Sequence, residues 1–236
     1  MDFGRRESNL PSHDQETMKK LSTTAAMIAV LFAPLFADPA SPGTVVTGDS
    51  LEGWFVNPAN PPVWRIVKDK KGVPAIAREP AGSYLWTKTS FGDFELNLEY
   101  KVSKGCNSGL FFRTDPKNPV QGGFEIQIFD SHGQDPNKHN TGALYDARPA
   151  SAMPEKPAGQ WNTLNLKVVG TKLVCVINGT EVQNLDLADW DTPNKNPDGS
   201  KNKFRTALKD LPRAGHIGFQ DHGHNVWYRK ISIKAL

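Results

Sequence analysis

Cysteine is nearly absent from this chain: 236 residues hold two, Cys106 and Cys175. There is no Cys-x-x-Cys and no Cys/His cluster, which excludes a structural zinc module and a disulfide-stapled scaffold. The two thiols read as small buried hydrophobes, with one bridge in an oxidising compartment as the alternative. An excess of one charge is also lacking. Lys and Arg total 28 against 25 Asp and Glu, a formal net charge of +3, too small to point to a polyanion, so nucleic acid is not an expected partner. No persuasive helix-period segment occurs beyond the first 37 residues and no internal repeat is found, which excludes helix bundles and solenoids.

What the chain does have is six Trp and twelve Phe for a core, with 20 Gly and 18 Pro for turns. That balance favours short strands over long helices. The N-terminus has a separate character. Met18-Lys19-Lys20 is a short positive region, and Leu21 to Ala37 is an apolar stretch of signal-peptide length ending in small residues. It is too short and too Pro-interrupted for a membrane span. Residues 1–37 therefore read as an extension plus an export signal, with Met18 as the true start and cleavage near Ala37. The expected product is periplasmic or secreted, with no integral span after cleavage. Residues 38–49 read as a linker and 50–236 as one domain.

From Ser50 onward, short alternating or apolar runs are separated by turn residues, the pattern of an all-β sandwich. Phe94 to Val102 alternates strictly, with apolar residues on one face and Glu95, Asn97, Glu99 and Lys101 on the other. Leu164 to Ile177 reads as a hairpin turning at Gly170-Thr171, and Asn178-Gly179 signals another reversal. Further strands are expected at Gly109–Arg113, Phe124–Phe129, His216–Gln220 and Val226–Ile233. The long polar loops Asp130–Asn140 and Asp189–Lys203 are expected to line a site or to move.

Alternation sorts the polar residues by face. Asn107 and Arg113 fall on the side opposite Leu110 and Phe112. Glu125 and Gln127 oppose the core-facing Phe124, Ile126 and Ile128, while Gln220 and His222 follow Ile217 and Phe219. Asp221 is expected where its strand ends, and Gln-Asp-His-Gly has a plainer reading as a hydrogen-bonded turn. Trp86, Phe129, Tyr145 and Trp227 offer flat surfaces on which sugar rings stack. Amides, carboxylates, imidazoles and an arginine from separate strands thus suit a polyhydroxylated ligand.

Asn107-Ser108-Gly109 with Phe111-Phe112-Arg113, Phe124 to Ile128 with Asp130, Thr141 to Tyr145, Gly159 to Asn162 and Gly215 to Gly223 together resemble the 3-keto-disaccharide hydrolase family. The resemblance spans roughly residues 50 to 234. It implies a concanavalin-like jelly roll of two antiparallel sheets and cleavage of glycosidic bonds in sugars oxidised at carbon 3, by elimination and hydration. On that reading Glu125 or His222 is the base, and Arg113 or a divalent metal ion stabilises the enolate. Asp221, Asn107 and Gln127 orient the sugar, with Asp130, Tyr145 and Gln220 as further contacts. No ligand spacing is diagnostic of the metal. The alternatives are a non-catalytic, lectin-like carbohydrate-binding module, a conventional glycoside hydrolase using paired carboxylates, and a purely structural envelope protein. The expected partner is a small carbohydrate; the oligomeric state stays open.

Overall fold

A computed structural model of the chain describes residues 39–57, 64–78 and 83–236. The export segment expected over residues 1–37 lies outside them. Among the described residues no helix is long and apolar enough to cross a membrane. The described residues form thirteen strands in chain order: β1 (Val45–Thr47), β2 (Trp54–Asn57), β3 (Trp64–Lys68), β4 (Pro74–Arg78), β5 (Tyr84–Phe91), β6 (Phe94–Val102) and β7 (Asn107–Thr114), then β8 (Phe124–Phe129), β9 (Asn162–Val169), β10 (Lys172–Ile177), β11 (Thr180–Asp186), β12 (Gly215–Phe219) and β13 (Val226–Ala235). The only helical pieces among the described residues are two single 3-10 turns, Leu187–Asp189 and Leu208–Asp210.

The strands form two antiparallel sheets of a jelly-roll sandwich. The larger runs β11–β10–β9–β6–β13–β4–β3, and the smaller β2–β5–β12–β7–β8. β13 is long enough to change neighbours on one side: Val226–Arg229 pair with β4, and Ser232–Lys234 pair with β1. β1 therefore lies within the stretch expected to be a linker. Val46 is buried there, so the folded unit starts earlier than residue 50.

Alternation explains β6, whose apolar positions are all buried while the intervening polar ones are not. The hairpin turn after β9 uses Gly170 at φ +56°, and Asn178-Gly179 adopts +49° and +81°. Two consecutive left-handed residues are what a tight two-residue hairpin demands. Between the sheets, the Phe219 ring of β12 lies parallel to the Tyr228 ring of β13, centroids 3.9 Å apart. Trp54 stacks on Phe219 from the side at 5.3 Å. Tyr228 satisfies its hydroxyl on Ser108 Oγ at 2.9 Å, and Ser108 in turn donates to the Gln220 carbonyl at 2.7 Å. A core ring is thereby tied to the backbone that carries the polar end of β12. Cys106 and Cys175 are buried free thiols, and burial pushes both up to about 12.

Candidate active site

The outer face of the smaller sheet carries a hollow of about 290 Å³. β8 contributes Glu125 and Gln127, and β7 contributes Asn107 and Phe111. Tyr84 enters from the start of β5, while Gln220 and His222 follow the end of β12. The remaining walls are loop residues: Val120, Tyr145 and Lys203.

Tyr145 is held there by backbone pairing. Gln127 N–H donates to the Ala143 carbonyl at 3.0 Å, Gly142 N–H to the Gln127 carbonyl at 2.9 Å, and Tyr145 N–H to the Glu125 carbonyl at 2.9 Å. Residues 142–145 thus cover the free edge of β8 and set the phenol beside the carboxylate. Lys203 arrives at the end of the long polar loop, which is folded on itself through Asn194, Asn196 and Asn202. Gln121 clamps the segment by donating to the Lys203 carbonyl at 2.9 Å and accepting from Arg205 N–H at 3.0 Å. The Lys203 ammonium lies 4.3 Å from the centroid of the Tyr145 ring and 3.9 Å from Glu125 Oε2.

Glu125 is 4% exposed although it sits on the polar face of its sheet. Burial raises its pKa to about 7, with Lys203 pulling the other way. Lys203 is itself lowered by burial, offset by Glu125 and Asp146. The phenols of Tyr84 and Tyr145 are raised, first by burial and then by the Glu125 charge. Both therefore stay protonated and serve as donors. Gly109 faces the carboxylate, and a Cβ added there would collide with Glu125 Oε1. Gln127 Nε2 donates to Asn107 Oδ1 at 3.0 Å. Three buried acceptors lining the hollow have no donor among the described residues: Glu125 Oε1, Gln127 Oε1 and Gln220 Oε1.

Six of the nine residues singled out from sequence converge here: Asn107, Glu125, Gln127, Tyr145, Gln220 and His222. Three do not. Arg113 is fully buried away from the hollow, donating to the Gly92 carbonyl at 2.8 Å, the Gly170 carbonyl at 2.6 Å and Asp93 Oδ1 at 2.8 Å. The reason is a bulge: β12 pairs Gly218 with Phe111 but His216 with Thr114, so Phe112 and Arg113 together oppose Ile217. Arg113 takes φ +48°, and the alternation that held from Asn107 to Phe111 is lost. Asp221 is buried in an ion pair with Arg78 and accepts from Ser83 N–H at 2.9 Å and Gly223 N–H at 3.0 Å. It closes a turn, as the plainer reading of Gln-Asp-His-Gly expected. Asp130 directly follows β8 and accepts from Gly105 N–H at 2.8 Å.

Of the aromatic residues proposed for stacking, only Tyr145 lines the hollow. Trp86 is buried beneath it against Phe111, centroids 5.4 Å apart. Trp227 lies on the other sheet under the Lys101 ammonium. Sequence reasoning missed Tyr84 and Lys203. Lys203 ends a loop already marked as a site candidate, but no strand period fixes where a loop lysine points. Among the described residues no group of three or more His, Cys, Asp or Glu converges as a cation site, so no step is assigned to the divalent metal that the sequence left open.

Fold and hollow together define a jelly-roll sandwich with a polar hollow on one outer face and one buried carboxylate in its wall. The chain belongs to the 3-keto-alpha-glucoside-1,2-lyase-like domain family, whose model matches residues 41–234. A 3-keto-disaccharide hydrolase of Bacteroides thetaiotaomicron is 29% identical over 248 residues, covering 91% of this chain and 84% of that protein. A crystal structure from Parabacteroides distasonis, provisionally named a glycosyl hydrolase, is 30% identical with a TM-score of 0.71, covering 82% of this chain and all of that one. A second protein of that organism, named likewise, shares the fold at 20% identity and a TM-score of 0.61, over 80% of this chain and 91% of its own. The family membership makes this a carbohydrate-active protein.

Proposed function

We propose that the protein cleaves the glycosidic bond of 3-keto-glycosides by elimination followed by hydration, with Glu125 as the base. The observation that carries this reading is the pairing of one carboxylate with a pKa of about 7 with buried acceptors that have no donor among the described residues. A sugar supplies the missing donors through its hydroxyls, and an unpaired buried acceptor otherwise costs roughly 1–3 kcal/mol.

The ketone acidifies the proton on carbon 2. Glu125 takes that proton, and the electron pair moves onto the carbon-3 oxygen as an enolate. Lys203, a cation in the wall of the hollow, offsets that charge, with the Tyr84 and Tyr145 phenols as hydrogen-bond donors. The enolate collapses by breaking the bond from carbon 1 to the leaving oxygen, which takes up a proton; His222 at the exposed rim is suited to give it. Water then adds at carbon 1, and a proton returns to carbon 2. Arg113, the enolate stabiliser expected from sequence, is replaced in this scheme by Lys203. A paired-carboxylate hydrolysis is less well supported. Among the described residues Glu125 is the one carboxylate lining the hollow, and the expected partners Asp130 and Asp221 are engaged elsewhere. The export signal read in residues 1–37 would put the reaction outside the cytoplasm.

The test incubates the protein with 3-keto-glucosides and with their unoxidised parents, with and without chelator, and follows aglycone release. Release from the keto form alone supports the reading. Release from both forms favours direct hydrolysis, and binding without release from either favours a lectin-like module.

A further inference from the structure

A second carboxyl is buried in the molecule, and the reaction proposed above does not use it. Glu155 is 2% exposed and lies in the segment that leads into β9. Its neighbours are pinned to the larger sheet. Asn178, in the turn after β10, donates through Nδ2 to the Pro154 carbonyl at 2.9 Å, and Lys156 N–H donates to Asn162 Oδ1 at 2.8 Å. Asn162, the first residue of β9, also accepts from Asn178 Nδ2 at 2.7 Å, so one pair of amides holds both sides of residue 155. The carboxyl itself lies against the core: burial, and after it the Glu155 charge, raises the Tyr100 phenol of β6.

From that fixed point a hydrogen-bond chain runs to the wall of the hollow. Glu155 Oε2 accepts from Ser131 N–H at 3.1 Å and from Ser131 Oγ at 3.0 Å. With its hydroxyl proton turned to the carboxyl, Ser131 Oγ keeps a lone pair free, and Thr141 N–H donates to it at 3.1 Å. Thr141 Oγ1 in turn accepts from Phe129 N–H at 2.8 Å and donates to the Phe129 carbonyl at 2.6 Å, which extends the pairing along the edge of β8. The next residues are the strap 142–145 that ends in Tyr145. Ser131 and Thr141 are both buried, so the polar loop between them leaves and re-enters the fold through one shared contact. His132 adds a second grip, its Nδ1 donating to the Glu155 carbonyl, which can only accept.

Burial raises Glu155 to about 7, against the Ser131 hydrogen bonds that lower it. What the carboxyl supplies in return is direction. Even when protonated it keeps a carbonyl oxygen as acceptor, so the Ser131 hydroxyl points one way and leaves Thr141 N–H one place to go. Thr141 and Asn162 belong to the motifs that carried the family resemblance, and the proposed reaction uses neither.

We propose that Glu155 is a positioning residue for the candidate active site: through Ser131 and Thr141 it fixes the strap that seats Tyr145 beside Glu125. Its effect on turnover rests on the reaction proposed above, whereas the seating of the strap does not.

Backbone hydrogen exchange reads the strap directly. In Glu155→Leu the Gly142 and Tyr145 amides, which donate to β8 carbonyls, should exchange about tenfold faster, while the central β6 amides change less than about twofold. Glu155→Gln keeps an acceptor and should restore most of the protection. Ser131→Ala breaks the same link from the other side and takes over if Glu155→Leu does not fold. Equal acceleration of strap and β6, or none at the strap, overturns the proposal. Turnover supplies the second arm. On a 3-keto-glucoside Glu155→Leu should lose about fivefold in kcat/KM, yet add less than about twofold to the loss from Tyr145→Ala. Additive losses overturn the route through Tyr145. If the unaltered protein turns over no 3-keto-glycoside, the reaction itself fails, and exchange alone decides the positioning.

Discussion

Lys203 holds its ammonium 3.9 Å from Glu125 Oε2, with side-chain exposures of only 21% and 5%. Neither partner is easily ionised alone in such a place, and burial sets Glu125 to about 7. A base works only in its ionised form. Below pH 7, kcat/KM should therefore fall in proportion to the ionised fraction, and above it rise to a plateau. Glu125→Gln removes the base and should cost about 10³-fold in kcat/KM while the fold is kept. A pH–rate profile with 3-keto-glucoside checks both.

Lys203→Met removes the cation proposed to face the enolate and should cost about 10²-fold. It also removes the one charge that lowers Glu125, so the acid limb of the surviving activity should move to higher pH. A lysine that only lowered Glu125, without facing the enolate, would move that limb and leave the plateau near its original height.

Gly109 has an ordinary backbone conformation, so Gly109→Ala strains no dihedral. The new methyl would nevertheless occupy the space of Glu125 Oε1. Displacing a base by an ångström or so should cost tenfold or more in kcat/KM, measured beside a circular dichroism spectrum that stays native.

Arg113 and Asp221 should behave as structural residues. Arg113→Met strands two backbone carbonyls and should destabilise by about 2 kcal/mol. Asp221→Asn breaks a buried pair with Arg78 and should cost about 3 kcal/mol or more. Denaturant unfolding reads those losses. The folded fraction of each variant should keep the kinetic constants of the unaltered protein.

Much of the fold was legible because strand alternation is a direct physical record of burial. β6 and β8 have the ends expected for them, and the turns at Gly170-Thr171 and Asn178-Gly179 fall where their left-handed residues require. The same logic placed Glu125 and Gln127 on the face that carries the hollow. It failed at Arg113, where one extra residue in β7 opposite Ile217 reversed the side on which the next side chain emerges. A bulge leaves no mark in hydrophobic period, and the left-handed φ of an arginine leaves none either. Lys203 was illegible for another reason. Its approach to Glu125 depends on Gln121 gripping the backbone from 82 residues away in sequence, a contact that exists only once both loops have folded.

The proposal that Glu125 draws a proton from carbon 2 is tested most directly with a 3-keto-glycoside carrying deuterium at that carbon. The account predicts that the unaltered protein is slowed by the isotope and passes it to water, and that Glu125→Gln does neither. Cleavage at the same rate for both isotopes, with deuterium fully retained in the sugar released, would contradict it.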